Sequence, residues 1–295
     1  MSASGPGRLI GAFLLLTLIW GTTWAAIRVG LQGVPPFTGV ALRFAIAGTL
    51  LLALAPVLGV RLGRRGRREK ALWLANGVLS FCVSYSAVYW AEQFIPSGLA
   101  AVLFATYPLF VAGLAHVLLP GERLRSIAAA GVALGFAGVA VIFSDDLTLL
   151  GGEAVRRAGL VMLVSPLASA VATVVIKRWG RDVHPLSLSA VPMLIASLVM
   201  GAAAFLVERH RPLVFDARSV GALFYLAILG SAVTFTVYYW LLARVSATRL
   251  ALMSYLIPIV AVAVGAALFD EPLRPRLLAG SALVLLGVVI VSRRR

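Results

Sequence analysis

Apolar residues in this chain run in unbroken blocks, separated by short polar breaks. Ten blocks cover Leu9–Val29, Phe37–Leu58, Leu72–Ala91, Gly98–Leu119, Ile127–Phe143, Leu160–Ile176, Leu186–Val207, Val220–Leu242, Leu250–Phe269 and Leu277–Val291. About 20 apolar residues, wound as a helix, cross a hydrocarbon core of roughly 30 Å. With no water in that core, each backbone amide must bond inside its own segment, so helix is the expected form of every block. The fifth, sixth and tenth blocks are the shortest and are expected to sit with little tilt. Pro and Gly punctuate the connections at Gly33–Pro36, Gln93–Ser97, Gly121, Gly151–Gly152, Pro185 and Pro272. The first block follows Arg8, is too long for a signal core and lacks a small-residue cleavage site, so it is expected to be a retained helix.

Composition agrees with a membrane solvent. Hydrophobic residues make up 61% of the 295 positions and charged residues 13%, too little polar surface for a water-soluble domain. The net charge of +15 would fit a nucleic-acid binder, but its position does not, because the basic residues fall in short connections. With the N-terminus inside, 17 Lys and Arg lie in cytoplasmic segments, 8 on the opposite side, and Arg43 within a block. The positive-inside rule then places both termini in the cytoplasm. The cluster from Arg61 to Lys70 also has the chemistry to touch anionic lipid. Cys82, the single cysteine, lies inside a block and reads as packing.

A displacement of 149 positions brings the two halves into partial register. Ile27 and Arg28 fall on Ile176 and Lys177, Pro36 on Pro185, Tyr89 on Tyr238, Glu122 on Glu271, Gly131 on Gly280 and Gly138 on Gly287. Pro108 and Pro258 are one residue out of step. Each half holds five blocks, an odd number, so the second half is expected to cross the membrane in the opposite sense. Inverted repeats of this kind build many secondary transporters, with substrate near the midplane between the halves. The expected fold is therefore all-α: ten transmembrane helices, as two inverted five-helix repeats (1–144 and 152–292) around a central cavity, with a basic tail at 293–295.

At these residues the chain resembles the EamA-type drug/metabolite transporters. The likeness is carried by Ile19-Trp20-Gly21-Thr22-Thr23-Trp24, by Arg43-Phe44, and by the stretch from Ala100 through Pro108 to Gly121-Glu122-Arg123-Leu124. Its second-half match runs from Ser246 through Pro258 to Asp270-Glu271-Pro272-Leu273, while the Trp-Gly and Arg-Phe signatures are missing there. The resemblance implies a ten-helix basket with a central cavity and export of amino acids or other small metabolites. Bacterial exporters of aromatic amino acids are the nearest type.

Candidate transport residues follow from helical spacing. Tyr85 and Tyr89 share a stripe with Phe81, Val88 and Glu92; Thr234 and Tyr238 share one with Ser231 and Leu241; Trp20, Thr23 and Trp24 share one with Ile27. Thr106, Tyr107 and Ser254 precede the mid-helix prolines. Rings with polar tips suit an electroneutral pocket for an amphipathic, zwitterionic or neutral solute. They equally suit interfacial belts and helix contacts. Pro108 and Pro258 each free a carbonyl, which makes them candidate hinges or simple kinks. Arg43 lies about 9 Å inside its helix at 1.5 Å per residue. It stands as a partner for Glu92 in an outer gate, as a snorkelling cation, or as the anchor of a substrate carboxylate. Glu122 and Glu271 precede helices and read as caps, and the repeated glycines read as close helix contacts.

Enzyme chemistry has no foothold. His116 is the single histidine within a block, and neither metal-ligand spacing, a Gly-x-Ser-x-Gly elbow nor a nucleotide-binding Gly-rich loop occurs. No metal or cofactor is expected, and no nucleic acid. The expected activity is secondary transport of a small molecule by a monomer in lipid, in a bacterial inner membrane. The alternatives are export or import of other small neutral metabolites or drugs and, in a different class, a channel or an intramembrane enzyme.

Overall fold

A computed structural model describes residues 6–64, 66–121, 126–143, 152–270 and 275–292. Glu122, Glu271 and the 293–295 tail lie outside the described residues. Among those described, the chain is helical and no strand occurs. Its helices are α1 (Pro6–Gly30), α2 (Pro36–Val57), α3 (Arg67–Ala91), α4 (Ser97–Leu118), α5 (Ser126–Phe143), α6 (Glu153–Trp179), α7 (Pro185–Val207), α8 (Ala217–Leu242), α9 (Ala247–Phe269) and α10 (Pro275–Ser292). Eight of them are long and apolar enough to cross a membrane, and α5 and α10 have 18 residues each. This is a multi-pass membrane protein. Alongside a buried apolar core, Leu198, Leu206 and Val117 are exposed, whereas Arg43, Asn76, Ser84, Ser165 and Thr106 are buried.

The sixth helix corrects the sequence expectation of a short span at Leu160–Ile176. It begins at Glu153 and runs 27 residues. Its first turns are polar on one side, where Glu153 pairs with Arg156 and Arg157 at i+3 and i+4. Such pairs support an exposed helix end that hydropathy alone assigns to a loop. For the same reason α3 starts at Arg67 rather than Leu72, carrying part of the basic cluster into its first turn.

Packing obeys the 149-residue relation. Helix α1 lies on α9 and α6 on α4, while α8 lies on α2 and α3 on α7. The self-related pairs α2–α7 and α5–α10 are packed most extensively. Lipid offers no hydrophobic drive between helices, so close backbone approach has to supply the attraction. A Cβ on Gly131 would stand 2.5 Å from the Gly287 carbonyl oxygen, and one on Gly138 would stand 2.6 Å from that of Gly280. Each glycine thus meets the repeat mate of the other.

Irregular turns recur at matching places. A π-turn interrupts α3 at Gly77–Val83 and another interrupts α8 at Ile228–Val233. α4 breaks at Ala105–Thr106 just before Pro108, and α9 tightens to a 3-10 turn at Leu252–Tyr255 just before Pro258. Both prolines therefore sit at the start of a new helical stretch, where the missing N–H costs least.

Two buried carboxylates tie the halves together at opposite ends of the α2–α7 pair. Pro35 and Pro36 open α2, so the first free amides are those of Phe37 and Thr38. They donate to Glu208 Oε1 and Oε2 at 2.9 and 2.8 Å, and the Thr38 hydroxyl adds a third bond at 2.8 Å. At the start of α7, the Ser187 hydroxyl donates to Glu69, which also accepts from the Gly63 amide at 3.2 Å. Ser187 is the repeat mate of Thr38. A carboxylate on helix-end amides satisfies orphan donors and offsets the positive end of the dipole.

Candidate functional site

Between the halves lies a cavity walled by α1, α2, α3, α4, α6, α8 and α9. Of the residues singled out from sequence, Trp20, Thr23, Trp24, Tyr85, Tyr107, Tyr238 and Ser254 are in its wall, together with Arg43. Tyr89, Thr106 and Thr234 are buried outside the lining. The Thr106 hydroxyl bonds its own helix at Leu103 O, 2.8 Å away, closing the turn at the α4 break. Glu92, Pro108 and Pro258 are also outside the wall.

Arg43 is 1% exposed and spans the two halves. Its Nε donates to Ser231 Oγ at 2.7 Å and one terminal nitrogen donates to the Gly230 carbonyl at 2.9 Å, both on the π-turn of α8. A π-turn shifts the carbonyl register and is a frequent mark of functional sites. Further contacts are with Tyr89 Oη at 3.3 Å and Tyr85 Oη at 3.5 Å, and the guanidinium lies over the Tyr85 ring at 4.7 Å and the Phe44 ring at 5.6 Å. These hydrogen-bond partners are all neutral. The guanidinium directs these hydrogen bonds to partners other than Glu92. At the repeat-related position, Pro192 faces Gly77 of the α3 π-turn: a Cβ there would lie 3.1 Å from the Pro192 carbonyl oxygen. The expected electroneutral lining is thus corrected at one residue, because the π-turn anchors the Arg43 cation in the wall.

Another part of the lining carries hydroxyls. Tyr107, Thr173 and Tyr238 close a ring of three hydrogen bonds: 2.6 Å between the phenols, 2.8 Å from Tyr107 to Thr173, and 2.9 Å from Thr173 to Tyr238. Beside it, Ser84 bonds Ser165 at 2.7 Å and Ser169 at 2.9 Å. Rings line the cavity as well, with Trp20 5.3 Å from Phe235 and 5.5 Å from Tyr238, and Trp24 5.6 Å from Phe104. The indole Nε1 groups of Trp20 and Trp24 are buried without a hydrogen-bond partner.

Sequence reasoning missed the whole contribution of α6. Ser165, Ser169 and Thr173 recur every fourth residue and form one helical stripe. The signal was available, because Ser169 and Thr173 stand at the 149 offset from Trp20 and Trp24. Ser80, Phe104, Phe235 and Tyr239 also line the cavity and had not been singled out.

Known proteins agree with this architecture. The sequence profile of the EamA-like transporter family matches residues 8–144 and 156–293. An uncharacterized transporter of Archaeoglobus fulgidus is 30% identical over 95% of this chain and 97% of its own length. The uncharacterized inner membrane transporter YedA of Escherichia coli is 30% identical over 96% of this chain and 90% of its own. A probable amino-acid metabolite efflux pump of Escherichia coli is 28% identical over 94% and 92%. A solved crystal structure superposes with a TM-score of 0.73 at 21% identity, covering 97% of this chain and 96% of the other, which indicates a shared fold.

Proposed function

Because the chain belongs to the EamA-like transporter family, and so is a transporter rather than an enzyme, we propose that it exports small metabolites by alternating access, with aromatic and other neutral amino acids as substrates. The observation that carries this reading is the cavity itself. It lies at mid-span, takes its wall from both halves, and mixes rings with hydroxyls. Transporters with inverted repeats hold their substrate in such a place and rock one half against the other.

The exchange of partners between α1–α9 and α6–α4, and the reciprocal glycine crossing of α5 with α10, support ten spans in two inverted five-helix repeats. The basic bias of alternate connections supports both termini in the cytoplasm of a bacterial cell, with the chain in the inner membrane. The Escherichia coli relative described as a probable amino-acid metabolite efflux pump favours this substrate class. The breaks before Pro108 and Pro258, level with the cavity, supply the flexible points for the rocking.

Overexpression tests the reading in cells. It should lower intracellular phenylalanine, tyrosine and tryptophan and raise resistance to their toxic analogues. Unchanged pools and unchanged resistance would remove the substrate class while leaving the fold intact.

A further inference from the structure

The residues that line the cavity differ in what they offer a ligand. Arg43 and the indoles of Trp20 and Trp24 have N–H groups and no acceptor atom, and both indole N–H groups are buried without a partner. The Tyr107–Thr173–Tyr238 ring, also in the lining, holds three hydroxyls joined by three hydrogen bonds. A closed ring spends each hydroxyl proton on its neighbour, and what remains toward the cavity is lone pairs. One group of lining residues therefore donates and another accepts. The asymmetry is specific to the repeats: Trp20 and Trp24 become Ser169 and Thr173 in the second half, and Arg43 becomes Pro192.

We propose that the cavity binds the zwitterionic head of an amino acid in a single orientation, its carboxylate against Arg43 and the first-half indoles, its ammonium against the second-half hydroxyl ring. This rests on the amino-acid reading above and adds the requirement for both charged groups. A guanidinium held in a low-dielectric wall by neutral partners gains most from a group carrying negative charge. Hydroxyl oxygens and the faces of Phe235 and Tyr238, whose centroids are 6.4 Å apart, receive the cation. The ligand side chain then occupies the ring-lined space near Phe104 and Ile257.

The test is a binding titration of purified protein, read by thermal shift, with phenylalanine, phenylalaninamide, 3-phenylpropionate and phenethylamine. On the unaltered protein, each probe lacking one charged group should bind about tenfold to a hundredfold more weakly than phenylalanine. Arg43→Gln should weaken phenylalanine and 3-phenylpropionate by about tenfold and leave phenethylamine unchanged. Tyr238→Phe opens the ring and should weaken phenylalanine and phenethylamine while sparing 3-phenylpropionate. Equal binding of all four probes to the unaltered protein would overturn the orientation and keep the cavity as a site for small metabolites, and that comparison needs no variant to fold. Variants that weaken every probe alike would also overturn it. Binding of none of the four would overturn the amino-acid reading itself.

Discussion

Removing Glu208 should loosen the start of α2 more than any other single change at a helix end. Pro35 and Pro36 leave Phe37 and Thr38 as the free amides of that turn, and Glu208 takes both of them plus the Thr38 hydroxyl. The carboxylate is 4% exposed, so water cannot readily replace it. Each buried amide left without an acceptor costs about 1–3 kcal/mol. The lost charge at the helix N-terminus adds about 0.3–1 kcal/mol. Glu208→Ala should therefore cost about 4 kcal/mol. Glu208→Gln keeps one acceptor oxygen but turns an amide N–H toward a donor, and should cost about half as much. At about 2–4 °C per kcal/mol, the midpoint of thermal unfolding in detergent should fall by roughly 8–16 °C for Ala and half that for Gln. Arg209→Ala, at the exposed neighbouring position, is the control and should stay within about 0.5 kcal/mol of the parent. A Glu208→Ala protein that melts with its Arg209→Ala control would refute the clamp.

Other consequences are equally direct. Gly138→Ala places a methyl 2.6 Å from the Gly280 carbonyl oxygen, so α5 and α10 must separate. A loss of about 1–3 kcal/mol in unfolding free energy is expected, and an unchanged midpoint would argue against the crossing. A double-mutant cycle of Tyr107→Phe with Tyr238→Phe should report a coupling of about 0.5–1.5 kcal/mol; additivity would mean that the phenols do not bond. Asp216 lies just outside α8, where hydrogen bonds from Ser219 hold its carboxyl below the ordinary value of 3.8. Its cap is present above that value and is lost as pH falls through the lowered one, so Asp216→Asn should remove an acid-sensitive step seen in melting below about pH 4. Cys82 is buried, so a maleimide should label it slowly in the native protein and quickly in SDS; fast native labelling would contradict its placement.

Much of this molecule was legible in its sequence, for reasons that are physical. Lipid allows one backbone solution per block, so apolar length alone located the helices to within a few residues. The ends failed where a helix leaves the lipid. Glu153, Arg156 and Arg157 are polar and helical together, and hydropathy reads them as loop. Stripes located Trp20, Trp24, Tyr85 and Tyr238 in the wall because period 3.6 fixes which side chains share a face. It does not fix which face meets the cavity, and so Tyr89 and Thr234 were grouped with them although they lie outside the lining. Arg43 was visible as a buried charge, but its partners were not. Two of them, Gly230 and Ser231, reside on a π-turn of a distant helix, and a π-turn has no period to read. The serines of α6 were passed over because small hydroxyl residues carry little weight in a hydropathy pattern.

Solute counterflow most directly tests whether the mid-membrane cavity carries substrate. Proteoliposomes loaded with excess unlabelled phenylalanine and diluted into a trace of labelled phenylalanine should accumulate label above equilibrium and then release it, as a carrier with one alternately exposed site requires. Label that only equilibrates would indicate a channel, and label that never enters would contradict the account.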